Sequence, residues 1–230
     1  LAEHNLFVKP PAGTCLWSQF LRLYTFEFYR CFGAPGTAMT ILPKDTDVLV
    51  IGAGNAAFAA AHAAREHGCR VTVLERAPED EAGGNPRFTA GAIRFAYRGV
   101  DDLVELMPDL TEEELATTDF GTYSEEQFFD DMYRVTEYRT DPDLCELLVT
   151  RSRETLMWMR SKGIRFAPIY GRQAFKVDGR FKFWGGLTVE AYGGGPGLLE
   201  AWNTSASREE IKVIYGARAD SLIMDDGRIA

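Results

Sequence analysis

The sequence is poor in the residues that build metal centres and disulfide frameworks. It has four cysteines (Cys15, Cys31, Cys69, Cys145), none in a CxxC pair. It has three histidines (His4, His62, His67), none with a cysteine at ligand spacing. A zinc site needs clustered nitrogen and sulfur ligands, so no metal is expected. So few cysteines in 230 residues also argue against a disulfide scaffold, and a reducing, cytoplasmic compartment is the default reading. No apolar run reaches the length of a bilayer span, so no transmembrane segment is expected. Lys and Arg are absent from 101–131, which holds twelve Asp and Glu and so outweighs the net charge of −9. That stretch reads as solvated surface, with a partner-docking face as the alternative. A chain this acidic is a poor general binder of nucleic acid. With 46% hydrophobic and 26% charged residues, the composition argues against wholesale disorder, and 230 residues suffice for one sizeable core or for one domain and part of another.

The two ends read differently from the middle. Residues 1–38 carry eight aromatics (Phe7, Trp17, Phe20, Tyr24, Phe26, Phe28, Tyr29, Phe32) without a clean period. Arg22, Glu27 and Arg30 interrupt the stretch, which fits a signal peptide poorly. Residues 1–38 are expected to be an extension outside the fold, with a targeting segment or an amphipathic anchor as alternatives. Met39 leads through a short polar stretch into a strand, and 39–230 is expected to be the folded domain. At the other end, Asp226-Gly227 reads as a hairpin turn whose second strand has barely begun. The chain therefore reads as truncated.

The strongest signal lies near the start of that domain. Residues 47–51 (DVLVI) suit a buried parallel strand. Gly52-Ala53-Gly54-Asn55-Ala56-Ala57 follows as a GxGxxA loop, and an alanine-rich helix runs from about Ala56 to His67, ended by Gly68. Gly52 permits the tight turn, Gly54 lets a pyrophosphate approach the backbone, and Ala57 keeps helix and strand close. The helix N-terminus offers free N–H groups and partial positive charge to phosphates. A second strand, 69–75, ends in Glu75, placed to accept hydrogen bonds from an adenosine ribose. Strand, loop, helix, strand and terminal acid in this order predict dinucleotide binding. The bland alternative is a glycine-rich turn with a chance acid. His62 and His67 read as surface or packing residues.

An NAD domain would run from Glu75 into a second crossover helix. This chain has instead the irregular stretch 76–97, centred on Gly83-Gly84-Asn85-Pro86-Arg87-Phe88-Thr89-Ala90-Gly91-Ala92. Such a stretch can line an extended cofactor with backbone N–H groups. Here the sequence resembles the FAD-dependent fumarate reductase/succinate dehydrogenase flavoprotein family, and within it the tricarballylate dehydrogenase branch. The likeness is carried by VLVIGAGNAAFAAAHAAREHG, VTVLERA, GGNPRFTAGAIRF, DPDLCELLVTRSRETLMWMRSKGIRF and GGGPGLLEAW.

The resemblance implies an α/β, Rossmann-like FAD-binding domain with a parallel sheet, added helices and a small antiparallel sheet. It implies that Gly52, Gly54, Asn55, Ala56 and Ala57 hold the pyrophosphate. Glu75 would take the ribose, with Arg76 beside it. Gly83, Gly84, Asn85, Thr89, Ala90 and Gly91 would pass the ribityl chain and isoalloxazine. The backbone of Ala219 would meet the adenine. Pro86 stands where a hydroxyl residue is usual. Some relatives attach flavin to histidine; no histidine lies between Arg70 and Ala230, so non-covalent FAD is expected. Arg87 reads either as an anion-holding group or, more simply, as a solvent-facing arginine.

The implied activity is hydride transfer between FAD and a carboxylate-bearing small molecule such as tricarballylate, with an unidentified electron acceptor. The alternative is a truncated FAD-binding module without turnover. No catalytic residue is assigned, because the family's substrate-binding motifs would follow Ala230.

Further along, 125–138 and 142–162 read as helices, capped by Ser124 and Gln127 and by Asp141 with Pro142. Leu144, Leu147, Leu148, Leu156 and Met159 supply apolar positions of the second, and Met157 and Trp158 read as core. Residues 164–169 read as a strand, followed by a hairpin through Asp178-Gly179. Gly193-Gly194-Gly195-Pro196-Gly197 opens a helix that reads either as a cofactor contact or as a packing turn.

Overall fold

The computed structural model describes residues 46–222, 224–225 and 228–229, together with the short pairs Arg30–Cys31 and Thr40–Ile41. These two pairs run antiparallel to each other. The expected boundary at 38/39 and the turn at Asp226-Gly227 lie outside the described residues. The strands that flank this turn, Met224–Asp225 and Arg228–Ile229, pair antiparallel.

A three-stranded parallel sheet forms the centre of the fold. Strand β1 (Val48–Ile51) pairs with β2 (Val71–Leu74), and β2 pairs on its other edge with β8 (Lys212–Ile214). Being central, β2 buries all four of its residues. Helix α1 (Asn55–Glu66) crosses from β1 to β2 and buries Phe58, Ala61, His62 and Ala64. It ends in a Schellman arrangement: Gly68 N–H donates to Arg65 O at 2.9 Å and Cys69 N–H to Ala64 O at 3.2 Å, with Gly68 at φ +80°.

The long connection from β2 to β8 builds the rest. It contains β3 (Ala92–Ile93), α2 (Val100–Leu106), α3 (Glu112–Thr117), α4 (Glu125–Val135), α5 (Pro142–Thr150) and α6 (Ser152–Ser161). These are followed by β4 (Phe166–Pro168), α7 (Tyr170–Gln173), β5 (Ala174–Val177), β6 (Arg180–Phe183), β7 (Val189–Ala191) and α8 (Gly194–Arg208). Strands β3, β7 and β4 form an antiparallel sheet with β7 in the middle. Strands β5 and β6 form the expected hairpin, turned by Asp178 at φ +50° and Gly179 at φ +81°. One continuous core joins α1, β2, α6 and α8, with Trp202 fully buried near its middle.

Two helix readings are corrected. The stretch 142–162 is not one helix: it breaks at Arg151, whose backbone has φ −100° and ψ 0°. The Ser152 hydroxyl explains the break, donating to Val149 O at 2.8 Å and accepting from Ala96 N–H at 3.0 Å. Likewise α4 stops at Val135, because Glu137 and Tyr138 adopt left-handed backbone. Both expected N-caps are present: the Ser124–Gln127 capping box, and Asp141 accepting from Leu144 N–H. The apolar face of α5 turns outward, with Leu144, Leu147 and Leu148 exposed and Cys145 and Val149 buried instead. Leu156 and Met159 of α6 are buried as expected, and Met157 and Trp158 pack against the core.

A surface ion pair closes the start of the parallel sheet. Arg70 donates to both carboxylate oxygens of Asp47, through Nε at 2.9 Å, its second guanidinium nitrogen at 2.8 Å and its backbone N–H at 2.8 Å. These hydrogen bonds hold the Asp47 carboxyl down at about 2, against an ordinary value of 3.8. A carboxyl lowered on folding contributes stability above its unfolded value and loses it as pH falls through the folded one. Asp47→Asn is therefore expected to lower the melting temperature at pH 7. The effect should be below about 1 kcal/mol, since the pair is solvent-screened. The difference from wild type should close between about pH 4 and pH 2, as thermal melts across that range will show.

Candidate functional site

The loop after β1 is held from both sides. Gly52 takes φ +99°, open only to glycine at low cost, and its N–H donates to Leu74 O at 2.7 Å. Ala53 N–H donates to Glu75 Oε2 at 2.8 Å. Gly54 is different: its backbone (φ −87°, ψ −179°) suits any residue, and a Cβ built there meets only Gly83 O, at 3.8 Å. Neither the backbone conformation nor packing within the protein requires glycine at position 54. The space beside it is free for another molecule.

Helix α1 starts without a side-chain cap and without an acid in its first turn. The first helical bond runs from Phe58 N–H to Gly54 O. The N–H groups of Asn55, Ala56 and Ala57 therefore lack intrahelical partners, and they lie at the positive end of the helix dipole. This is a ready anion site.

Glu75 is only 8% exposed, and its carboxylate is shared between two backbone donors, Ala53 N–H and Ala77 N–H, both at 2.8 Å. Each oxygen keeps a lone pair for a hydroxyl. Beyond it, Ala217 N–H donates to Glu75 O and Gly216 N–H to Ala77 O, fixing a ledge at the ends of β2 and β8. Arg76 is exposed beside this ledge. Ala219 is exposed and no hydrogen bond among the described residues anchors it.

The second glycine-rich segment packs next to the first. Gly83 O lies against Gly54, and Gly83 itself is buried at φ +117°, where a side chain would strike Leu199 of α8. Gly84 is open, and Asn85–Phe88 forms a 3₁₀ turn with Asn85 exposed. The Thr89 hydroxyl serves its own loop, donating to Pro86 O at 2.9 Å and accepting from Gly91 N–H at 3.1 Å. Ala90 is half-buried, and Gly91 is buried against the backbone of Gly194. Residues 52–57, 75 and 83–91 thus line neighbouring loops at one end of the parallel sheet, and Ala219 follows two residues after the ledge at Ala217.

The glycines that open α8 have a packing reason. Gly195 N–H donates to Thr89 O at 3.0 Å, and a Cβ on Gly195 would fall 1.8 Å from Pro86 O. These contacts give Gly195 a packing role, while Gly193 and Gly194 beside it stay exposed or half-exposed. Sequence reasoning missed Trp202, whose indole N–H donates to Asn55 Oδ1 at 2.7 Å. The contact joins positions far apart in sequence, and no local pattern signals it. His62 is fully buried against Trp202, with ring centroids 4.8 Å apart, so it is packing and not surface. Burial pushes its imidazole down from its ordinary value.

Both arginines near the segment make one hydrogen bond to a backbone carbonyl and keep further guanidinium N–H donors. Arg87 is exposed and donates to Ala82 O at 3.2 Å, and Arg94 donates to Gly185 O and lies over the Tyr123 ring at 4.7 Å. A separate cleft of about 380 Å³ opens near Arg98, Ser124 and Arg153. Its Arg153 is paired with Asp102 and Glu105, and none of the glycine loops reaches it. Among the described residues, no group of three or more His, Cys, Asp or Glu could hold a metal ion, and Cys69 and Cys145 are free and buried. No helix among them is long and apolar enough to cross a membrane.

Comparison with known proteins matches residues 47–230 to the FAD binding domain family. Among curated relatives, the fumarate reductase (cytochrome) of Shewanella frigidimarina is 26% identical over 82% of this chain and 29% of its own length. The NADH:fumarate oxidoreductase of Klebsiella pneumoniae (strain 342) is 22% identical over 82% of this chain and 18% of its own. The chain thus spans less than a third of either relative. Among solved structures, the 3-ketosteroid-Δ4-(5α)-dehydrogenase of Rhodococcus jostii RHA1 superposes with a TM-score of 0.58 at 21% identity, over 80% of this chain and 40% of its own. An open flavocytochrome c3 fumarate reductase gives 0.55 at 23%, over 79% and 28%. These likenesses show a shared fold.

Proposed function

The chain belongs to the FAD binding domain family, and from that premise we propose that it is the cofactor-holding part of a flavin-dependent oxidoreductase acting on a carboxylate-bearing small molecule. The observation that carries the reading is Gly54: its backbone does not require glycine, and the room beside it faces the uncapped start of α1. Bound FAD would supply hydride transfer at its ring. The chain's own residues do the holding.

The free N–H groups of Asn55, Ala56 and Ala57, with the dipole of α1, would neutralise the pyrophosphate. Glu75 would accept from the ribose hydroxyls while keeping loop and strand end together through Ala53 and Ala77. The backbone at Gly83, Gly84, Asn85, Thr89, Ala90 and Gly91 would follow the cofactor toward its ring, and Arg76 and Ala219 would flank the adenosine. The substrate class follows the fumarate-reducing relatives, and the motif likeness favours a tricarballylate-like acid. A cytoplasmic location fits the free thiols of Cys69 and Cys145.

Titration of the purified protein with FAD is expected to quench flavin fluorescence saturably, and acid precipitation should leave the flavin in solution. Absence of any uptake would remove the proposal; flavin retained on the precipitated chain would remove its non-covalent part. A binding module without turnover is the second reading, in keeping with a chain that spans less than a third of either curated relative. Bound flavin that neither succinate nor tricarballylate reduces would select it.

A further inference from the structure

The buried Trp202 holds a side chain of the phosphate loop from behind. An indole N–H can only donate, so its 2.7 Å contact fixes which end of the Asn55 carboxamide faces the core. Oδ1 is turned to Trp202, and both N–H bonds of Asn55 Nδ2 are left for another acceptor. No described residue accepts from them. Asn55 is the first residue of α1, within the set of N–H groups described above. Trp202 cannot shift easily. It is fully buried, stacked on Phe58 at 6.2 Å and tilted against His62 at 4.8 Å and Trp158 at 5.8 Å.

We propose that Trp202 is a positioning residue for the cofactor: through its indole N–H it locks the Asn55 carboxamide so that its amide nitrogen donates to the FAD pyrophosphate. The inference rests on the reading of this loop as an FAD cradle. A free carboxamide would have to lose its rotational freedom on binding; a locked one is already oriented. The contact also ties the loop to α8, whose first turn holds the segment around Thr89 and Gly91.

The test is a double-mutant cycle on FAD affinity, using Trp202→Phe, Asn55→Ala and the pair, with apo-protein melting recorded for each. Trp202→Phe keeps the ring packing and removes the N–H. Each single variant is expected to weaken FAD binding about 10-fold, the scale of a hydrogen bond to a charged group. The double variant should bind no more weakly than Asn55→Ala alone. A purely structural role for the indole would give multiplied effects, and that result, or wild-type affinity in Trp202→Phe, would overturn the proposal. If Trp202→Phe does not fold, Asn55→Ala decides: unchanged FAD affinity overturns it, and a 10-fold loss with a shifted Trp202 indole ¹H–¹⁵N resonance supports it. Wild-type protein that ignores FAD would overturn the cradle reading itself, and this inference with it.

Discussion

Gly54→Val is expected to yield a folded protein that has lost FAD, its affinity down by about 100-fold or more, roughly 2.7 kcal/mol. The expectation follows from the difference between two glycines in one loop. At Gly54 the backbone is ordinary, and the nearest protein atom to an added Cβ is 3.8 Å away. An added Cβ there meets the free protein only at ordinary contact distance, and a branched side chain fills the space that the pyrophosphate needs. At Gly52 the reverse holds: no atom lies within 4 Å, but φ is +99°. Gly52→Val should therefore lower the melting temperature whether or not FAD is present, whereas Gly54→Val should leave the apo melting temperature within a few degrees of wild type. A Gly54→Val protein with wild-type FAD affinity would sink the assignment of the loop.

Gly195→Ala is expected to be among the most damaging single methyl additions to the described fold. Its Cβ would sit 1.8 Å from Pro86 O and 2.7 Å from Thr89 O, both backbone atoms that no side-chain rotation can move. Helix α8 would have to retreat, breaking the Gly195 N–H bond to Thr89 O. The cost should be about 3 kcal/mol or more, at or beyond the upper end of overpacking. Gly171→Ala is the comparison. It meets no atom within 4 Å, and Gly171 sits in helix α7 without a positive φ, so a change of about 1 kcal/mol or less is expected. Denaturant melts of the two variants give the difference directly. A Gly195→Ala protein as stable as Gly171→Ala would show that α8 and the 86–89 turn are not in this contact.

What could be read from the sequence was local. The order of strand, glycine loop, alanine-rich helix, strand and Glu75 depends on neighbours within one βαβ unit, and the structure reproduces it with α1 shifted by one residue. The hairpin at Asp178-Gly179 was legible for the same reason, since two positive φ angles fall on residues that tolerate them. The misreadings came from tertiary packing. The helix break at Arg151 depends on Ser152 meeting Ala96, and nothing in 142–162 announces that partner. Leu144, Leu147 and Leu148 look like a core stripe, but α5 uses Cys145 and Val149 for that purpose. The sequence pointed to Asn55 as a phosphate ligand, and the structure adds the indole that holds it.

The third strand of the parallel sheet has a consequence for biosynthesis. Strand β8 completes the ledge beside Glu75, yet it follows β2 only after all of residues 75–211. On the ribosome, β1, α1 and β2 emerge early, with one edge of β2 unpaired. At roughly 5–20 residues per second, several seconds pass before Lys212–Ile214 can cover that edge. Closing so long a loop is entropically slow, and an open strand edge invites other chains. Newly made protein should therefore be vulnerable to aggregation until β8 arrives.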